Sequence, residues 1–329
     1  MDCFLAHGAL AMAMGLRTAL AFTMMVLVAS LRCAGQEAAG AEEGAETLQL
    51  LKSYYRHKAQ QYEFTLDAEG KQKLVLEPVA MTYTGHDYQS VANTVSANSG
   101  EVYIWTYEGR AVIAGGIGSF PVQGRWDFFH EFHVLTQRAP QPTKINSLPD
   151  LVWRPEGETP KLIPGAPAPA SAESTPLARS RRLTQMRSLA HEFSGTTVKP
   201  DDSGKARLRL LPTPIYRLDS AELEKGQHKI IDGAVFVFTG QDGTDAEMLL
   251  SIECRKSDSG LEWTYVPAAM TYLEMWMEHK GTEVWHIPNY RTDQRQHNYF
   301  TEIVERITSL DEMRTRLNSA DAAAREQSR

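Results

Sequence analysis

Cysteine is scarce: Cys3, Cys33 and Cys254 are the 3 in 329 residues. Cys3 and Cys33 lie in or beside an N-terminal apolar run, so a chain cut after Gly35 keeps Cys254 alone and closes no internal disulfide. A disulfide-stapled scaffold is excluded. Basic residues are also short, 34 Lys and Arg against 41 Asp and Glu, for a formal charge of -7. Without a basic excess there is no electrostatic footprint for a phosphate backbone, and nucleic acid is not an expected partner.

Catalytic signatures are missing too. No G-x-S-x-G nucleophile elbow occurs, and no pair of carboxylates is spaced so as to predict a glycosidase site. Gly115-Gly116-Ile117-Gly118-Ser119-Phe120 is glycine-rich but lacks the Lys-Ser/Thr ending of a phosphate loop. Its glycines read as marks of a bulged strand. Cys254 follows the apolar run Leu249-Leu250-Ser251-Ile252 and reads as a small buried hydrophobe. No motif implies a cofactor.

What is present begins with export. Between Arg17 and Arg32 runs TALAFTMMVLVASL, uncharged and largely apolar, with small residues at Val28-Ala29-Ser30 and Cys33-Ala34-Gly35. This predicts a signal segment over residues 1–35 and a periplasmic or extracellular protein. The run is shorter than the roughly 20 apolar residues a spanning helix needs, so no integral membrane span is expected after processing. Met12 and Met14 offer alternative starts, and Arg32 before Cys33 fits lipoprotein processing poorly.

Nine of the 16 prolines fall between Pro140 and Pro176, and PGAPAPASAESTP has the composition of an extended linker. The two sides answer one another. Lys73 to Pro78, leading to Tyr83, matches Arg207 to Pro212, leading to Tyr216; Gly100 to Thr106 matches Gly233 to Thr239; Val152-Trp153 matches Val284-Trp285; Glu63-Phe64 matches Glu192-Phe193. The offsets drift only by loop-sized amounts, which predicts a duplicated domain of about 130 residues rather than a short-period array. Each half opens on a helical pattern, Leu48, Leu51, Tyr55 and Tyr62 in one and Leu183, Met186, Leu189 and Phe193 in the other, followed by strands without intervening helices. Turns are expected at Gly109, Asp242-Gly243 and Lys280-Gly281. The expected fold is α+β: two related modules, each a helix on a curved antiparallel sheet, at 46–155 and 177–299, joined by a linker over 156–176. Residues 300–329 are expected as an amphipathic helix and tail, with Ile303, Ile307, Leu310 and Leu317 as its stripe from about Thr301. That stripe either docks on its own domain or makes a short homodimer contact.

The clearest polar cluster is His130-Glu131-Phe132-His133, close to Trp126. Histidines three apart on a strand point to opposite faces, so they are not expected to share a metal and are expected at an exposed edge. Thr264 to Ala269 occupies the comparable place in the second half without a histidine. Tyr103, Trp105 and Tyr107 share one strand face, as do Phe236 and Phe238; facing inward they form the core, and facing a cleft they form a stacking platform. The candidate ligand surface is therefore Tyr103, Trp105, Tyr107, Trp126, His130, Glu131 and His133. An unidentified protein or small molecule is the expected partner.

On RLLPTPIYR, DGAVFVFTG, HEFH and VWRP, the chain resembles a group of exported planctomycete proteins of unknown function. The resemblance covers nearly all of the processed chain and implies a compartment and an architecture but no catalytic residue. In order of elements, helix then curved antiparallel sheet, the modules are similar to the nuclear transport factor 2 and polyketide-cyclase shape, which implies a small-molecule cup or an enzyme as the alternative to a non-enzymatic binding protein.

Overall fold

Alternating apolar residues dominate the chain, and in the computed structural model they form a mixed α+β structure of antiparallel strands in which one sheet curls into a half-barrel. The structure describes residues 44–84, 98–146, 148–199, 204–226, 229–240, 243–290 and 298–327. The signal segment and Asp242 lie outside them. Residues Leu50–Arg329 belong to one compact unit.

Two six-stranded sheets carry the fold. The first runs β1 (Val75–Leu76), β3 (Ser99–Tyr107), β4 (Arg110–Val122), β5 (Arg125–Val134) and β18 (Tyr299–Ile307), with β2 (Met81–Thr84) also on β3. The second runs β11 (Arg209–Leu210), β13 (Ile230–Thr239), β14 (Ala246–Ser257), β15 (Gly260–Ala269) and β8 (Lys161–Leu162), with β12 (Tyr216–Arg217) also on β13. Strand order and register agree between them. Leu76 pairs with Trp105 as Leu210 pairs with Phe238, and Met81 pairs with Val102 as Tyr216 pairs with Val235. Gly115 pairs with Phe132 as Leu250 pairs with Pro267, which sets His130, Glu131 and His133 against Tyr265, Val266 and Ala268. A third sheet runs β10 (Lys205–Arg207), β9 (Phe193–Val198), β16 (Met275–His279) and β17 (Thr282–Ile287), and β6 (Thr143–Ile145) pairs with β7 (Leu148–Trp153).

Helices cover the outer faces. Helix α1 (residues 44–60) lays Leu51, Tyr54 and Tyr55 on Tyr103, Trp105, Phe128 and Phe132, while α2 (Pro176–Ala190) lays Met186 and Leu189 on Phe236, Phe238 and Leu250. The opposite faces meet each other: Val102, Ile104 and Ala114 share a buried cluster with Val235, Val237 and Leu249. This is the period of two at work, since neighbouring residues of β3 and β13 serve different cores. The short α3 (Ser220–Lys225) is capped by Asp219, whose carboxylate accepts the Ala221 amide at 2.8 Å. Hairpin turns sit at Glu108-Gly109 and Lys280-Gly281, both pairs at positive φ as a tight two-residue turn demands.

Three expectations need correction. The helix expected from Thr301 is the strand β18, and α4 (Leu310–Gln327) starts only at Leu310. A bulge between Ile303 and Glu305 switches the inward parity, so Phe300, Val304 and Ile307 enter the core at spacings of four and three, the signature of a helix. Of the expected stripe, Ile307, Leu310 and Leu317 pack on the same core together with Met313, while Ile303 is exposed. The linker over 156–176 is extended but not loose: β8 pairs with β15, and buried Arg182 donates to the carbonyls of Ser171 and Glu173 at 2.7 and 2.8 Å. Finally, the glycines of β4 sit in unbroken register with β5; the irregularity between β3 and β4 falls at Trp105 and Thr106 instead. They are glycine because a Cβ at Gly115 would meet the Phe132 ring at 2.6 Å and one at Gly116 would meet the Glu131 carboxylate at 2.4 Å.

The outer edges of β5 and β15 differ. β18 lines β5 over residues 126–133, whereas β8 pairs with β15 only at Thr264 and Tyr265. On β15 the Trp263 carbonyl accepts from Ile163 and the Ala269 amide turns to His133, so odd-numbered positions point their backbone groups outward. Pro267 stands between them, buried, where no strand among the described residues pairs to receive an N–H.

Candidate functional site

β5 divides the His130-Glu131-Phe132-His133 cluster between two environments, because successive residues face opposite sides. On the α1 side, His130 Nδ1 lies 2.6 Å from Tyr62 Oη, and the two rings meet edge-on at 5.5 Å. On the other side, His133 Nδ1 accepts the Ala269 amide at 2.9 Å. The side chains diverge as expected, but neither is exposed. β18 covers the edge, the second sheet covers the face that carries His133, and Tyr62 just after α1 covers the face that carries His130, so both imidazoles are fully buried. Burial lowers each to about 3, which keeps the rings neutral. Since His133 Nδ1 accepts, its proton resides on Nε2, a buried nitrogen that meets no partner among the described residues.

Glu131 shares the His133 side. Its Oε2 accepts from Tyr299 Oη at 2.9 Å, and burial holds its carboxyl well above the usual carboxylate range, reinforced by the charges of Asp245, just before β14, and of Glu247 on that strand. Glu247 is itself raised to about 7 by burial, and Asp245 is raised by burial and then by Glu247. The sheets thus meet across carboxyl groups held toward their neutral form. Among the described residues no three His, Cys, Asp or Glu side chains converge as metal ligands.

Tyr103 and Trp105, considered as a stacking platform, are buried beneath α1; Trp105 lies edge-on to Phe64 at 5.2 Å and to Phe132 at 5.7 Å. Trp126 packs at the margin of the same core. Phe236 and Phe238 are interior residues of the second core. Cys254 is buried there, its thiol pushed up to about 12 by burial, a state without nucleophilic character.

Tyr107 is different. It borders a groove of about 290 Å³ that opens beside the β3–β4 turn, floored by Leu66 and Val112 and edged by Gln72, Arg110 and Arg138. Arg110 is clamped by Glu253 of β14, Nε and Nη2 donating at 2.8 and 3.0 Å. Arg138 Nη2 donates to the Leu66 carbonyl at 2.9 Å. Burial raises the Tyr107 phenol, as do the charge and side-chain hydrogen bond of neighbouring Glu108, which also lines the groove. The groove therefore offers guanidinium N–H groups above an apolar floor, a set that can hold a small polar molecule by its acceptor end. Of the seven candidate residues, it takes in Tyr107 alone.

Sequence reasoning missed Arg110, Arg138 and Glu253, and also the buried pair in which Arg182 Nε donates to Asp232 at 2.9 Å. Partners 143 and 50 positions apart carry no local signal. No protein-family model matches this chain, and neither a curated protein nor a solved structure is significantly similar to it.

Proposed function

We propose that the chain is an exported, non-catalytic binding protein built from two related modules, with the groove beside Tyr107 as its ligand contact. The observation that carries this reading is the contrast between the two polar regions. The histidines and Glu131 are sealed inside and spent on holding elements together, whereas Arg110 and Arg138 edge an open concavity. Duplication is supported by the shared strand order and register of the two large sheets, and export by the apolar run between Arg17 and Arg32.

The test is a thermal-shift screen of small molecules, peptides and metal ions on the processed protein, because a ligand that prefers the native state raises apparent stability. A ligand whose effect disappears in Arg138→Ala is the expected result. Ligands indifferent to groove substitutions, or turnover of any of them, would count against the reading.

A further inference from the structure

Resting on that reading, we infer that the groove takes a small organic carboxylate, its anionic end on Arg138 and Arg110 and its apolar part against Leu66 and Val112. Both guanidinium groups are already positioned from behind. Glu253 occupies Nε and Nη2 of Arg110 and leaves its Nη1 unengaged by that carboxylate, while the Leu66 carbonyl takes only Nη2 of Arg138. Among the described residues no carboxylate lies within ion-pair distance of Arg138. Planar forks fixed in advance suit a carboxylate, and pre-positioning reduces the ordering cost of binding.

Charge restricts the ligand further. Arg110 is neutralised by Glu253, which leaves Arg138 as the guanidinium of the groove without a paired carboxylate among the described residues, enough for one negative charge and not for a dianion such as a phosphate monoester, which Glu108 in the lining would also repel. A single carboxylate, held by directed hydrogen bonds, is the anion the site accommodates. Leu66 and Val112 are almost fully buried and form an apolar floor, which favours a hydrocarbon portion on the same molecule.

The experiment is an amide NMR titration of the processed chain with hexanoate and with its neutral analogue hexanamide. Expected are shifts confined to residues 66–72, 107–112 and 136–138, with hexanoate at least tenfold tighter than hexanamide. Arg138 is exposed, so Arg138→Gln should keep a native spectrum, weaken hexanoate at least tenfold and leave hexanamide unchanged. Equal affinity for the two probes overturns the carboxylate assignment. Silence at the groove with both probes, while the thermal-shift screen still finds a ligand elsewhere, overturns the site but not the binding reading; silence in both experiments sinks both.

Discussion

The imidazole of His133 accepts the amide proton of Ala269, 136 positions further along the chain, and so closes the edge of one sheet with a side chain from the other. His133→Ala leaves that amide buried and unpaired, which costs about 1–3 kcal/mol. Urea denaturation should register this loss. A change within about 0.5 kcal/mol, the range of ordinary surface substitutions, would show that the contact is incidental.

Pro267 solves the same problem two residues earlier by having no amide proton. Pro267→Val keeps an apolar side chain but introduces a buried N–H where β8 does not reach. The expected outcome is destabilisation by about 1–3 kcal/mol. An equal or higher melting temperature for the variant would refute this account of the edge.

Arg182 and Asp232 are both fully buried, and Arg217 Nη2 also donates to Asp232 at 2.8 Å. Arg182→Met removes one cation and releases the Ser171 and Glu173 carbonyls. Loss of about 3–5 kcal/mol is expected, as for other broken buried pairs. Limited proteolysis should also show new cleavage between residues 165 and 175; a variant as resistant as the parent there disproves the tethering role.

The carboxyls between the sheets give stability a definite pH dependence. Glu131, Asp245 and Glu247 have folded values above their ordinary ones, so their contribution is full below about 4.5 and is lost as pH rises through the folded values, for Glu247 at about 7. His130 and His133 act oppositely, since values lowered to about 3 add stability as pH rises toward 6.5 and nothing beyond it. Three raised carboxyls oppose two lowered histidines, so between about pH 4.5 and 7 the free energy of unfolding should fall as pH rises. Glu131→Gln should flatten that slope; an unchanged slope would falsify its assignment to this cluster.

Local patterns announced much of the fold and little of the site. Trp105 and Phe238 stand at matched register positions because the same alternating segment precedes each, and a period of two correctly sends His130 and His133 apart. Their burial was not legible, because it depends on β18, which lies well over 150 residues downstream, on Tyr62 over His130 and on a second sheet over His133. The bulge in β18 misled the periodicity by imitating a helix at Phe300, Val304 and Ile307. Arg110 and Arg138 join one groove only through the way β3, β4 and the segment after β5 are folded, a relation that no spacing encodes.

β8 follows the first set of strands yet edges the second sheet, and β18 follows the second set yet edges the first. Each half of the chain therefore ends in a strand that the other half needs. A fragment stopping before Tyr299 would carry every strand of the first sheet except the last, and β5 would present an unpaired edge from Trp126 to His133, the kind of row that recruits foreign strands. During synthesis the first sheet must wait for nearly the whole chain before its edge is closed, and pairings so distant in sequence form slowly. Cutting the gene between the halves would not yield two domains; it would yield two sheets, each lacking the strand carried by the other piece.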